Sequence, residues 1–161
     1  MIAHAGLIAA HLGGYWRGVL IEGPSGSGKS DLALRALDHG FRLVADDRVV
    51  LWASGGALYG RAPDPLQDLI EVRGVGVCRE PRVAFCRIAL AVSCAQHERM
   101  PEPAFNDYVG LSVPAISLAP FERSAPAKLR HALQQLGAWA EGAYLDALAV
   151  GVSPRPGGDS R

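Results

Sequence analysis

Eight consecutive residues, Gly23-Pro24-Ser25-Gly26-Ser27-Gly28-Lys29-Ser30, place glycine, glycine, lysine and serine at the spacing GxxxxGK[ST]. Glycines let successive backbone N–H groups curl around one point, and a helix starting at the end of the loop adds positive potential there. Such a segment suits a run of phosphates. In that reading Lys29 reaches the β and γ phosphates of a nucleoside triphosphate and Ser30 ligates Mg²⁺. Asp46 and Asp47 close the next apolar run, where open α/β sheets place ligand-binding groups. Adjacent strand residues point to opposite sides, so one carboxylate can face a metal while the other accepts the proton of an attacking hydroxyl. Farther on, Glu71 and Arg73 alternate with apolar neighbours and should share one strand face. That pair suits a metal ligand with an anion clamp, or equally a surface ion pair.

These groups need elements to carry them. His4 to His11 reads as a strand ending at Gly13-Gly14, and Val19 to Glu22 as a short buried strand leading into the glycine loop. From Ser30 the leucines 32, 34 and 37 recur at helical spacing until Gly40. Leu43 to Ala45 is a second buried strand, and Arg48 to Ala53 forms a hairpin with Ala57 to Arg61 through Ser54-Gly55-Gly56. Strand, loop and helix thus surround the phosphate-type loop, which is the context that gives the motif its meaning. Val83 to Ser93 is the most strand-like run in the chain, and the proline-bearing, polar stretch Gln96 to Asn106 reads as loop. Ser124 as N-cap, Pro126 in the first turn, and Leu129, Leu133, Leu136 and Ala140 at helical spacing predict a final helix. Residues 1–150 are then one domain, and 151–161 a tail with almost nothing to bury.

Composition narrows the function classes. Of 161 residues 49% are hydrophobic, enough for a real core, and sixteen basic against sixteen acidic residues give zero formal charge. That balance argues against a chain devoted to nucleic acid or to anionic membrane. No apolar run approaches the ~20 residues of a membrane helix. Cys78, Cys86 and Cys94 form no CxxC pair and are odd in number, which fits neither a disulfide framework nor a zinc ribbon and points to a cytoplasmic protein.

Three segments, Gly-Pro-Ser-Gly-Ser-Gly-Lys-Ser-Asp (23–31), Arg-Leu-Val-Ala-Asp-Asp-Arg-Val (42–49) and Ile-Glu-Val-Arg-Gly-Val-Gly-Val (70–77), resemble in order and spacing the catalytic domain of the HPr kinase/phosphorylase family. The resemblance runs over roughly residues 3 to 95, and the third segment looks like the family signature, which is far more specific than the glycine loop. It implies a compact α/β P-loop domain with a mixed sheet of the PEP carboxykinase-like type and a C-terminal helix. It also implies an enzyme that uses ATP and Mg²⁺ to phosphorylate a serine of the phosphocarrier protein HPr, works in hexamers, and corresponds to the family's short form with only the C-terminal catalytic domain. Residues 23 to 30 would bind the ATP phosphates. Asp46 and Asp47 would hold the proton acceptor, with the choice between them open; Ser30, Glu71 and Asp47 would serve the metal, Arg73 the transfer, and His4 would be the family's active-site histidine. The family's Pro-Gly-Arg-Asn type segment, associated with dephosphorylation, has no counterpart in Ser117 to Arg123. Arg99 and Arg123 stand as candidates for a downstream catalytic arginine.

Two rival functions share the loop. A metabolite kinase would spend chain on a lid and a closed pocket, for which 161 residues leave little room. A nucleotide sensor would need a metal ligand but no general base.

Overall fold

The computed structural model describes residues 1–63 and 68–136. Branched and small apolar residues build β1 (Ile2–Leu12), which turns at Gly13-Gly14 into β2 (Tyr15–Glu22). The two pair antiparallel from Ala5↔Glu22 to Leu12↔Tyr15. The glycine loop follows β2 and opens α1 (Lys29–Ala36), a 3₁₀ turn (Leu37–His39) leads to Gly40, and β3 (Phe41–Ala45) then returns along β1. β4 (Arg48–Ser54) continues along the same neighbour through His4↔Arg48 and Ile2↔Val50, and turns into β5 (Ala57–Arg61). Thus β3 and β4 lie end to end beside β1, with Asp46 and Asp47 at the break between them.

A separate two-stranded hairpin comes next, β6 (Leu69–Val72) with β7 (Gly76–Arg79). β8 (Cys86–Cys94) rejoins the main sheet, antiparallel to β5 and parallel to β2. Since β1 joins β2 to β4 and β4 pairs with β5, the strands β2, β1, β4, β5 and β8 close into a ring. β9 (Ala104–Tyr108) and β10 (Leu111–Leu118) extend the sheet beyond β8, and α2 (Ala125–Gln135) ends the described chain. The mixed sheet and final helix expected from the sequence are both present.

Alternation along the strands divides the core in two. Leu7, Leu20, Val49, Leu51, Leu58 and Ile88 turn into the ring, while Ile8, Val19, Ile21, Leu43 and Leu90 face outward and are covered by Leu32 and Ala36 of α1 and Leu129 and Leu133 of α2. The interior has no spare volume at Gly60, where a Cβ would stand 2.7 Å from Leu7 Cδ2 and 3.0 Å from Ile88 Cδ1. Gly60→Val is therefore expected to destabilise the domain by about 1–3 kcal/mol, read as a lower denaturant midpoint with an unchanged slope. A stability equal to wild type would mean that the ring is looser than described.

Some expectations need correction. The stretch 96–106 is not loop throughout, because β9 begins at Ala104 and pairs with β10 from Ala104↔Ala115 to Tyr108↔Leu111. The physical reason is polarity at an edge: Asn106, the last residue of the stretch, lies on a strand that borders water. Ser124 is the N-cap of α2 by position, yet its side chain makes no capping hydrogen bond. Ala140 and the tail expected at 151–161 lie outside the described residues. Among the described residues no helix is long and apolar enough to cross a membrane.

Candidate active site

The carboxyl end of β2, the start of α1, the β3–β4 turn and the β6–β7 hairpin meet around a cleft of about 610 Å³. Its lining includes Ser25, Gly26, Gly28, Lys29 and Ser30 from the glycine loop, Asp46, Asp47 and His4 from the sheet, and Glu71 and Arg73 from the hairpin. Residues scattered over seventy positions of sequence thus face one space, and five of the seven candidates outside the loop, His4, Asp46, Asp47, Glu71 and Arg73, are among them.

The loop is shaped for an anion. Gly28 sits at φ 100, a left-handed conformation that strains any residue with a Cβ, and it is the N-cap of α1. No side chain caps that helix, so its first N–H groups are left to whatever enters the cleft. Lys29 is only 8% exposed, and its Nζ donates to the carbonyls of Gly23 at 2.7 Å and Pro24 at 2.9 Å. A buried ammonium held only by its own loop's carbonyls sits where phosphate oxygens can take over as partners. Phe121, exposed itself, lies against Gly28, where an added Cβ would come within 2.8 Å of the ring. The ring closes one side of the loop.

The two adjacent aspartates have separate partners. Ser30 Oγ donates to Asp46 Oδ1 at 2.9 Å, whereas Asp47 Oδ1 lies 3.4 Å from His4 Nδ1. Strand alternation is not what separates them. Asp47 has φ 68, and the Arg48 N–H donates to the Asp46 carbonyl at 2.8 Å across it, closing a three-residue turn. A non-glycine residue held there stores of order 1–3 kcal/mol of strain, a device that concentrates at functional sites. The Ala5 N–H donates to the Asp47 carbonyl at 3.1 Å and keeps the turn on β1. Since Ser30 is grouped with Asp46, the expected placement of Asp47 with the metal ligands gives way to Asp46 in the reading below.

The hairpin departs from expectation in one respect. Glu71 lies on β6, but Arg73 belongs to the turn that follows, so the two do not share a strand face; Gly74 at φ 83 bends the chain there and brings Arg73 over the same cleft. Ile70, buried, and Val72 and Cys78 pack onto the outer core and hold the hairpin down. Arg82 braces its foot. The guanidinium Nη2 donates to the Leu69 carbonyl and the backbone N–H to Asp68 Oδ1 at 3.3 Å. Burial lowers the pKa of Arg82, and the charges of Asp46 and Asp68 oppose that shift. Arg99 and Arg123, the two downstream candidates, are not among the residues lining the cleft.

Phe121 and Arg82 escaped the sequence reading, because each acts through a contact between segments far apart in the chain. Behind the loop, burial raises the pKa of the Cys94 thiol while Lys29 and Ser27 pull it down. Tyr108 donates to Glu22 Oε2 at 2.5 Å just before Gly23, and burial, reinforced by Glu22, lifts its phenol well above the usual range. Neither Cys94 nor Tyr108 faces the cleft.

Among the described residues no three His, Cys, Asp or Glu side chains converge as a metal cluster. The Ser30–Asp46 pair, with Glu71 on the same cleft, still fits Mg²⁺, which takes one or two carboxylates and completes its shell with phosphate oxygens and water.

Residues 4–83 match the family model described as HPr Serine kinase C-terminal domain. The chain is 39% identical over 119 residues to an HPr kinase/phosphorylase of Leptothrix cholodnii, covering 63% of this chain and 36% of that protein. It is 53% identical over 64 residues to one of Brevibacillus brevis, covering 39% of this chain and 21% of that protein. The chain therefore spans little more than a third of the curated relatives it matches, or less. Among solved structures, the Hpr(Ser) kinase/phosphatase from Coxiella burnetii superposes with a TM-score of 0.74 at 25% identity, covering 95% of this chain and 99% of that one.

Proposed function

Given that the chain belongs to the HPr kinase/phosphorylase family, of which it carries the C-terminal domain, we propose that it transfers the γ-phosphoryl group of ATP to a serine hydroxyl of an HPr-type phosphocarrier protein. The observation that carries the reading is the separation of Asp46 and Asp47 onto Ser30 and His4, within one cleft that also holds Lys29. A nucleotide sensor has no use for a second carboxylate held away from the metal side.

Phosphoryl transfer asks the protein mainly for positioning and for neutralising charge. In this reading the loop's N–H groups hold the triphosphate, and Lys29 leaves the Gly23 and Pro24 carbonyls for the phosphate oxygens. Mg²⁺, when bound by Ser30, Asp46 and Glu71, supplies positive charge to the β and γ phosphates. The serine oxygen attacks the γ-phosphorus, its proton passes to the Asp47 carboxylate, and the bond to the β–γ bridging oxygen breaks to release ADP. His4 orients that carboxylate. Arg73, on the turn that follows β6, faces the transferring group and balances its charge.

The test is transfer from γ-labelled ATP to purified HPr-type carriers whose target serine is intact or changed to alanine. Label on the intact carrier alone supports the reading. ATP binding with no labelled carrier at any enzyme concentration removes it and favours the sensor.

A further inference from the structure

Among the described residues, the helices cover only part of the ring's outer surface. The buried cluster beneath them draws on β1, β2, β3 and β8 but contains no residue of β4 or β5. On those two strands Val49, Leu51 and Leu58 turn inward, so Val50, Trp52 and Tyr59 turn outward. Trp52 and Tyr59 stack at 5.8 Å with 18° between their planes, and Phe85 lies 6.3 Å and 6.4 Å from them. Ile2, 64% exposed, pairs with Val50, and Phe85 is 56% exposed. This apolar surface is continuous with the catalytic corner, because Ile2 and His4 lie two residues apart on one face of β1, roughly 7 Å.

Among the described residues of β4 and β5 the charges have one sign. The registers His4↔Arg48, Val50↔Arg61 and Tyr59↔Arg87 set three arginines along the face, and neither β4 nor β5 contains an Asp or Glu. Aromatic rings with arginines around them are the composition of binding hot spots. A cluster of this kind, half-buried at Trp52 and Tyr59 and exposed at Ile2 and Phe85, beside a catalytic corner marks an interaction surface rather than an ordinary strand exterior. A second copy of the same face would set arginines against arginines.

We propose that the outer face of the β4–β5 hairpin is the docking surface for the acceptor protein, which meets it with an apolar patch bordered by carboxylates. The proposal rests on the protein-kinase reading above and adds where the acceptor binds. Docked there, a protein overhangs His4 and Asp47 and brings its hydroxyl to the cleft from the side opposite the hairpin tip.

The test is steady-state transfer to the purified carrier, with Phe85→Ser, Arg61→Glu and Arg61→Lys compared to wild type. Phe85→Ser and Arg61→Glu should each raise the KM for the carrier by about tenfold, while the KM for ATP and the kcat at saturating carrier hold. Arg61→Lys should stay near wild type, and the rise of KM with salt should flatten in Arg61→Glu. An unchanged KM for the carrier overturns the proposal. So does a fall in assembly mass by sedimentation with no change in that KM, which assigns the face to a second copy. Should wild type bind ATP yet label no carrier, the kinase reading fails by itself, and a titration of carrier onto nucleotide-free protein decides the docking surface. Binding weakened by Phe85→Ser upholds the surface, and absence of binding to wild type overturns it.

Discussion

Asp47→Asn is expected to lower kcat for phosphoryl transfer by about 10²–10⁴ while leaving nucleotide affinity within about twofold. The amide keeps the size of the side chain and a contact to His4 Nδ1, now 3.4 Å from the carboxylate, but it cannot accept the serine proton. Asp46→Asn should behave differently. Its carboxylate holds Ser30 Oγ at 2.9 Å, so its loss should raise the Mg²⁺ concentration needed for half-maximal rate, and excess Mg²⁺ should restore much of the activity. Magnesium titrations of both variants, with the rate and ATP affinity measured separately, decide the matter. If the two fall together with the same magnesium dependence, the division of labour is wrong.

Lys29→Ala should cost about 10²–10³ in kcat, the scale seen when a preorganised donor to developing charge is removed. Unlike Asp47→Asn it should also weaken ATP binding, because the ammonium meets phosphate in the ground state as well as during transfer. The same side chain ties the loop's own carbonyls at Gly23 and Pro24, so an alanine also frees the loop. Lys29→Arg separates these effects. It keeps the charge, but a planar fork does not fit a slot where the residue is 8% exposed, and activity should stay low. Recovery of wild-type kcat by arginine would show that charge alone matters at this position.

Much of this site was legible in the chain because its parts are local. A glycine loop between an apolar strand and a leucine-patterned helix can be read within about thirty residues, and residues 23–30 sit where that reading puts them, at the turn from β2 into α1. The two aspartates follow the end of β3, where the apolar run places them, but alternation does not account for their separation. Periodicity assigned them to opposite strand faces, whereas a turn at Asp47, φ 68, is what separates them. Arg73 likewise reaches the cleft from a turn, which alternation with Glu71 cannot reveal. Ring closure was invisible for a deeper reason: β2 and β8 meet through Glu22↔Ser93, and no local pattern announces a partner that distant. The β9–β10 pair was hidden by its own polarity. Phe121 against Gly28 is legible only once α1 and the segment after β10 are side by side, where Arg35 donates to the Pro120 and Glu122 carbonyls.

The pairing of β2 with β8 sets an order of events during synthesis. Val19 to Glu22 leave the ribosome early with only β1 as a neighbour, and their other edge stays open until Leu90 to Ser93 have been made. Pairings between such distant segments form slowly, and an apolar strand with an open edge is prone to wrong partners in the meantime. The loop that would hold the triphosphate hangs from the end of that strand, so it is translated among the first parts of the domain and framed among the last. A nascent chain halted before Cys94 would carry the whole glycine motif and still lack a finished phosphate site.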